Sequence, residues 1–277
     1  MLRILKRIKF VSECRYFVRR GKRPWNAALP KWCDADAPIF WAYAGGGRLH
    51  AYGNSQEAIE DSLSRGVKIL EVDCNFTSDG VPVLTHEFRP NNAIEFDHIP
   101  SAQEFLAKKV NDRFTPLTLD SFLAKYIKDG SVYCSIDPGG AGGKGNLLEY
   151  MVRNVSVGVR QKIIYQTYSL PMASKAVDAG FASVHFGLHY VFSRKEFWRL
   201  RYLLPALVSI GVKSVSLQDC PMTESAVQAV KQIVDSGLVV SIAGIDSVDR
   251  IRRWMKYGVK CFNSRFVTPI DFIEGGF

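Results

Sequence analysis

The 277-residue chain has no apolar run of membrane-spanning length: its longest nearly apolar stretch, residues 237–245, is about half the roughly 20 residues a bilayer-crossing helix needs. It also lacks a Cys-x-x-Cys pair and any Cys/His cluster. Cys14, Cys33, Cys74, Cys134, Cys220 and Cys261 are scattered, which argues against structural zinc and against a redox dithiol. Low-complexity tracts and internal repeats are missing, and basic residues interrupt the N-terminal apolar runs too early for a secretory h-region. Hydrophobic residues at 47%, charged at 23% and aromatic at 12% sit near globular averages, excluding wholly disordered, collagen-like and disulfide-miniprotein readings. A reducing, cytoplasmic compartment fits this cysteine usage, although an even number leaves disulfides open.

Acidic residues are scarcest where basic ones are densest. The first 25 residues carry nine basic side chains against Glu13 alone, leaving 27 basic and 26 acidic residues for the rest, so the net charge of +9 belongs almost wholly to the N-terminus. The remainder has no net field to attract a polyanion, and no nucleic-acid partner is expected. At helical spacing Leu2, Ile4, Leu5, Ile8 and Val11 leave a broad apolar side opposite most of the charges. Two readings stay open: residues 1–25 lie on an anionic membrane surface, making the protein membrane-associated, or they form a solvated terminal helix packed on the body. Residues 1–36 are read as a basic N-terminal tail and 37–277 as the folded body.

From residue 39 short apolar, β-rich runs alternate with helix-like stretches, which calls for parallel strands joined by crossover helices. Strands are expected at 39–44, 67–76, 131–137, 162–167, 183–188, 212–217, 238–243 and 260–263, with a further apolar run at 81–85 after the turn signal Ser78-Asp79-Gly80. Helices are expected near 54–65, 118–128, 147–157, 171–179, 195–209, 223–236 and 246–257, and the glycine-rich residues 139–145 as a mobile lip. About eight strands predict an α/β fold, a (β/α)8 TIM barrel, with its chemistry at the C-terminal ends of the strands.

Strand alternation in Ile69-Leu70-Glu71-Val72-Asp73 puts Glu71 and Asp73 on one face, opposite Leu70 and Val72. In a barrel whose outer face is covered by helices, the acidic face points inward. Two adjacent carboxylates there need a counter-charge: a hard divalent cation, Mg2+ or Ca2+, or neighbouring Lys or Arg side chains. His86 ends the next apolar run and comes to the same mouth, where an imidazole serves as general acid or base near neutral pH.

These residues, in this order, resemble the glycerophosphodiester phosphodiesterases, which share a phosphatidylinositol-phospholipase-like barrel. Ala42-Tyr43-Ala44-Gly45-Gly46 resembles the family's His-Arg-Gly or His-Ala-Gly-Gly opening, and Asn54-Ser55 its Glu-Asn-Thr or Asn-Ser segment. Glu71-Val72-Asp73 matches Glu-x-Asp, and residues 77–87 resemble Thr-x-Asp-Gly-x-x-Val-x-x-His-Asp, the most specific stretch. Weaker likenesses at Thr115-Pro116-Leu117-Thr118, Gln166-Thr167-Tyr168 and Asn263-Ser264 extend the resemblance over about residues 39–270.

The resemblance implies metal-dependent hydrolysis of a phosphodiester, a glycerophosphodiester or a related lipid or envelope headgroup, with Glu71 and Asp73 as metal ligands and His86 as one of two proton-exchanging histidines. Tyr43 stands where the other histidine belongs and Ala44 where an Arg often follows. Tyr43 itself, or His50 in the loop after the first strand, is then the candidate replacement. Ser135 stands at a third ligand's position, and Asp137, on the same strand face, can supply that carboxylate from one pleat further along. Arg265 stands where an acidic residue is usual and is the candidate phosphate-binding group. The alternative is a catalytically impaired barrel that binds phosphoesters or acts as a scaffold.

Overall fold

The computed structural model describes residues 2–21, 30–33, 37–47, 53–88, 96–109, 113–128 and 130–274. Eight parallel strands close into a barrel: β1 (Ile39–Ala42), β2 (Ile69–Phe76), β4 (Tyr133–Pro138), β5 (Ile163–Thr167), β6 (Ser183–Gly187), β7 (Ser214–Gln218), β8 (Val239–Ala243) and β9 (Cys261–Ser264). The barrel is closed by β1, which pairs with β9 along its whole length but with β2 only where Trp41 faces Ile69 and Ala42 faces Leu70. The short β3 (Pro82–Leu84) turns back antiparallel on the C-terminal end of β2 and brings His86 to the barrel mouth.

Helices cover the outside. They are α2 (Gln56–Ser64), α3 (Ala102–Ala107), α4 (Leu119–Phe122) with a π-helical turn Leu123–Ile127, α5 (Gly140–Asn154), α6 (Val157–Arg160), α7 (Leu170–Asp178), α8 (His189–Ser193), α9 (Leu200–Ile210), α10 (Glu224–Asp235), α11 (Val248–Met255) and α12 (Pro269–Glu274). Ser55, Thr118 and Thr223 accept from backbone N–H groups in the first turns of α2, α4 and α10; the capping box that Asn54 and Glu57 suggest at the start of α2 does not form, because Asn54 bonds Asp73 and Glu57 accepts from Thr115. The outward strand residues, such as Leu70, Val72, Ile136, Val184, Val215 and Ile242, meet these helices in one continuous core.

The barrel interior is unusually polar. Ser135, Gln166, His185, Ser214, Ser216, Ser241 and Asn263 are buried within it, and Trp41 fills the space these small side chains leave, its ring 4.8 Å from that of His185. Below Trp41 a small apolar cluster of Trp32, Ile69, Ile164, Val239 and Cys261 plugs the floor.

The glycine run corrects the expected lip: Gly140 begins α5, so the helix starts one full segment earlier than its apolar pattern suggested. The N-terminal region forms α1 (Leu2–Arg20), lying against α9. Its inward stripe is half-buried Phe10, buried Cys14 and half-buried Phe17, at spacings of four and three; of the expected apolar set, Ile4, Leu5 and Ile8 are exposed and Val11 is half-buried. No disulfide joins any of the six cysteines, and among the described residues no helix is long and apolar enough to cross a membrane.

Candidate active site

β1 stops at Ala42, two residues short of the expected strand, because the chain enters a 3₁₀ turn, Tyr43–Gly45, with Ala44 left-handed at φ 51°. Gly46 follows at φ 112°, and a Cβ there would lie 2.2 Å from Ser62 Oγ, whose hydroxyl donates to the Gly45 carbonyl at 2.8 Å. Both the torsion and the close approach require glycine. This turn aims the Ala44 N–H at Glu71 and sets Tyr43 on the mouth of the barrel.

The β2–β4 register places Asp137 directly across from Asp73, and Ser135 across from Glu71. The third carboxylate therefore enters beside Asp73. One oxygen from each of Glu71, Asp73 and Asp137 lies within 4.8 Å of the others. Each carboxylate is oriented by a neighbour. Ala44 N–H donates to Glu71 Oε2 at 2.8 Å, Gln166 Nε2 to Glu71 Oε1 at 3.1 Å, and Tyr168 Oη to Asp137 Oδ2 at 2.9 Å. Asn54, itself left-handed at φ 60°, donates to Asp73 Oδ2 at 3.0 Å and accepts from the Asp73 N–H at 2.9 Å.

Burial first, then the charges of Asp73 and Asp137, push the Glu71 carboxyl well above the usual carboxylate range. Burial also raises Asp73, opposed by the Asn54 hydrogen bond and by the positive potentials of His86 and Arg265. Among the described residues no Lys or Arg makes an ion pair with Glu71 or Asp73. The donor set is all oxygen, converging and short of positive charge, and so suits a hard divalent cation, Mg2+ or Ca2+.

His86 and Tyr43 line the same small cavity, about 160 Å³, as the three carboxylates. That is space for a phosphate group and a few waters, with larger substituents left outside. Asn75 Nδ2 holds the His86 segment by donating to the carbonyls of Thr85 and His86, at 3.1 and 2.6 Å. A Cβ at Gly139 would run into that Asn75 amide. The Arg265 guanidinium lies 4.8 Å over the Tyr43 ring, and Asp246 fixes its backbone by accepting from the Arg265 N–H at 3.0 Å. Burial and the negative potentials of Glu71 and Asp73 raise the Tyr43 phenol further, with Arg265 opposing. Tyr43 is therefore a neutral phenol at neutral pH. His50 lies outside the described residues.

Two histidines that the sequence pattern left unassigned also reach this cavity. His185 projects inward from β6, its Nδ1 2.8 Å from Ser214 Oγ, and burial pushes its pKa down to about 3, so it stays neutral. His189, opening α8, has Nε2 3.1 Å from Ser216 Oγ and is likewise lowered by burial. Alternation along 183–188 allows both to face inward or to serve core or loop duty; His185 faces inward on β6, while His189 reaches the cavity from the start of α8.

Several solved structures that resemble this barrel are described as glycerophosphodiester phosphodiesterases. The fold is that of the glycerophosphodiester phosphodiesterases. A Silicibacter pomeroyi protein assigned as a glycerophosphoryl diester phosphodiesterase superposes with a TM-score of 0.69 at 18% identity, covering 88% of this chain and 96% of that one. The Thermotoga maritima glycerophosphodiester phosphodiesterase gives 0.64 at 14% identity, covering 84% and 96%. An Oleispira antarctica phosphodiesterase in complex with the product sn-glycerol-3-phosphate gives 0.63 at 15%, covering 86% and 96%. In sequence, lysophospholipase D GDPD3 of Mus musculus is 32% identical over 78 residues, a match spanning 25% of this chain and only 24% of that protein. No sequence-family profile matches the chain.

Proposed function

We propose that the chain hydrolyses a phosphodiester, a glycerophosphodiester or a related lipid or envelope headgroup, with a divalent cation held by Glu71, Asp73 and Asp137. The observation that carries this reading is the convergence of those three carboxylates, within 4.8 Å of one another, at the mouth of a barrel with this fold. Those three carboxylates would hold the cation, which would supply Lewis-acid polarisation of a phosphate oxygen. Gln166, Asn54 and Tyr168 keep the carboxylates aimed, so little reorganisation is needed when substrate arrives. Arg265, braced on the Tyr43 ring, binds the phosphate from the β9 side of the mouth. His86 carries the proton to or from the ester oxygen, and the neutral Tyr43 phenol donates a hydrogen bond to the phosphate.

Tyr43 and Ala44, standing where the resemblance expects His and Arg, favour the second reading of a phosphoester-binding barrel with impaired turnover. A general acid or base contributes about 10²- to 10⁴-fold in rate, so losing one of two slows the reaction without abolishing it. The deciding experiment is hydrolysis of bis(p-nitrophenyl) phosphate and glycerophosphocholine with Mg2+, Ca2+ or EDTA, comparing the native chain with Glu71→Ala and His86→Ala. Metal-dependent turnover lost in both variants supports the enzyme. A native chain no faster than its variants on every diester leaves the binding protein.

A further inference from the structure

We infer that α1 docks the barrel, mouth first, on an anionic lipid bilayer. α1 is held to the body through aromatic and cation–π contacts: Phe10 packs edge-on against Trp198 at 5.9 Å, Arg7 lies 4.3 Å over the Trp198 ring, Arg199 4.7 Å over Phe10, and Cys14 is fully buried. At its other end Gly21 closes on Ser209, at the end of α9. These two contact points fix the direction of the helix. Trp198 and Arg199 belong to the connection that leaves β6 at the mouth, whereas Ser209 leads to β7 at the floor. α1 therefore runs parallel to α9 from mouth to floor. The five residues before Arg7 rise about 7 Å beyond the level of Trp198, on the mouth side.

This end of the helix carries an exposed apolar cluster: Ile4, Leu5 and Ile8 are 65%, 54% and 56% exposed. Their side of the helix continues into exposed Arg15 and Arg19, flanked by exposed Lys6 and Lys9, while the single acidic residue, Glu13, is half-buried. An apolar tip with a cationic shaft matches the layering of an anionic bilayer, acyl chains beneath negative headgroups. A separate part of the chain agrees. Ile99 and Leu106, in the excursion that follows β3, and Phe266, just past β9, are 58%, 41% and 44% exposed at the same end of the barrel. Docked this way, the cavity of Glu71, Asp73 and Asp137 faces the headgroups. The surface stands on its own; only the meaning of that orientation rests on the phosphodiesterase reading.

The test is co-sedimentation of the full chain with phosphatidylcholine vesicles and with vesicles containing about one part in three phosphatidylglycerol. Native protein is expected to partition at least about tenfold more onto the anionic vesicles, an advantage that high salt removes. Ile4→Ser/Leu5→Ser/Ile8→Ser leaves the Phe10–Cys14–Phe17 stripe intact, keeps the native melting temperature, and is expected to lose at least about tenfold of that binding. Arg15→Ala/Arg19→Ala is expected to lose the preference for anionic lipid. Equal partition onto both vesicles, a triple variant that binds like the native chain, or a native dimer that the triple variant makes monomeric overturns the inference, the last by assigning the face to a second copy. Hydrolysis of soluble glycerophosphocholine is measured alongside and is expected to be unchanged in both variants. If native protein binds vesicles but hydrolyses nothing, the phosphodiesterase reading fails and the docking surface stands.

Discussion

Replacing Glu71 by Gln tests the site through stability rather than turnover. The new amide is isosteric and can keep both local hydrogen bonds, accepting from the Ala44 N–H and donating to Gln166 once the Gln166 amide flips. What it removes is one of three crowded negative charges. Because the Glu71 carboxyl is raised in the folded state, it favours folding below its unfolded pKa, and that contribution is lost as pH rises through the carboxylate range toward the raised value. In EDTA at pH 7 the Gln variant is therefore expected to melt higher than the native chain, with the gap closing on acidification. Cation reverses the order. At about a hundredfold excess over Kd a ligand stabilises by about 2.7 kcal/mol, and at roughly 2–4 °C per kcal/mol for a chain of this size the native melting temperature rises about 5–10 °C. The Gln variant is expected to gain less than about a third of that rise. The assay is thermal denaturation in EDTA, Mg2+ and Ca2+ at two pH values. Equal cation-induced shifts in native and variant, or none in the native chain at any concentration, would refute the assignment of these carboxylates to a metal.

Tyr43→Phe keeps the ring under Arg265 but removes the hydroxyl, and a fall in kcat/KM of about tenfold is expected for one lost hydrogen bond; activity equal to native removes the phenol from the reaction. Asn54→Ala strips two hydrogen bonds from Asp73 and puts alanine at φ 60°, for an expected loss of about 2–4 kcal/mol, read as a lower melting temperature and weaker cation response. Gly46→Ala forces a Cβ against Ser62 Oγ and lowers the melting temperature, and adding Ser62→Ala recovers part of the loss; no recovery would place the cost in the φ of 112° alone.

Most of the barrel was legible because each strand is an apolar run with its own flanking stops, as at Ile163–Thr167 and Val239–Ala243. Glu71 and Asp73 could be placed on one face by alternation alone, and Asp137 by its place two residues past Ser135, since a period of two is fixed by the pleat. Other features depend on tertiary contacts. Residues 139–145 look like a loop by glycine content, yet α5 begins at Gly140, directly after Gly139 passes close against Asn75. In α1 the sequence offers two apolar stripes, and only the position of Trp198 and α9 decides that Phe10, Cys14 and Phe17 face inward. The arrival of His189 in the cavity depends on a turn whose geometry no local pattern encodes.

The closure between β1 and β2 is short, with Trp41 opposite Ile69 and Ala42 opposite Leu70, whereas β2 and β4 pair from Ile69 through Cys74. Tyr43 and the Ala44 N–H sit at the end of that short seam. A barrel zipped this briefly at one place breathes there first, so the amide of Ala42, which faces β2, should exchange with solvent ahead of those in β4 and β5. Each opening would carry the Tyr43 turn with it and loosen the Ala44 N–H from Glu71, so the strength of this seam sets how firmly that carboxylate is aimed.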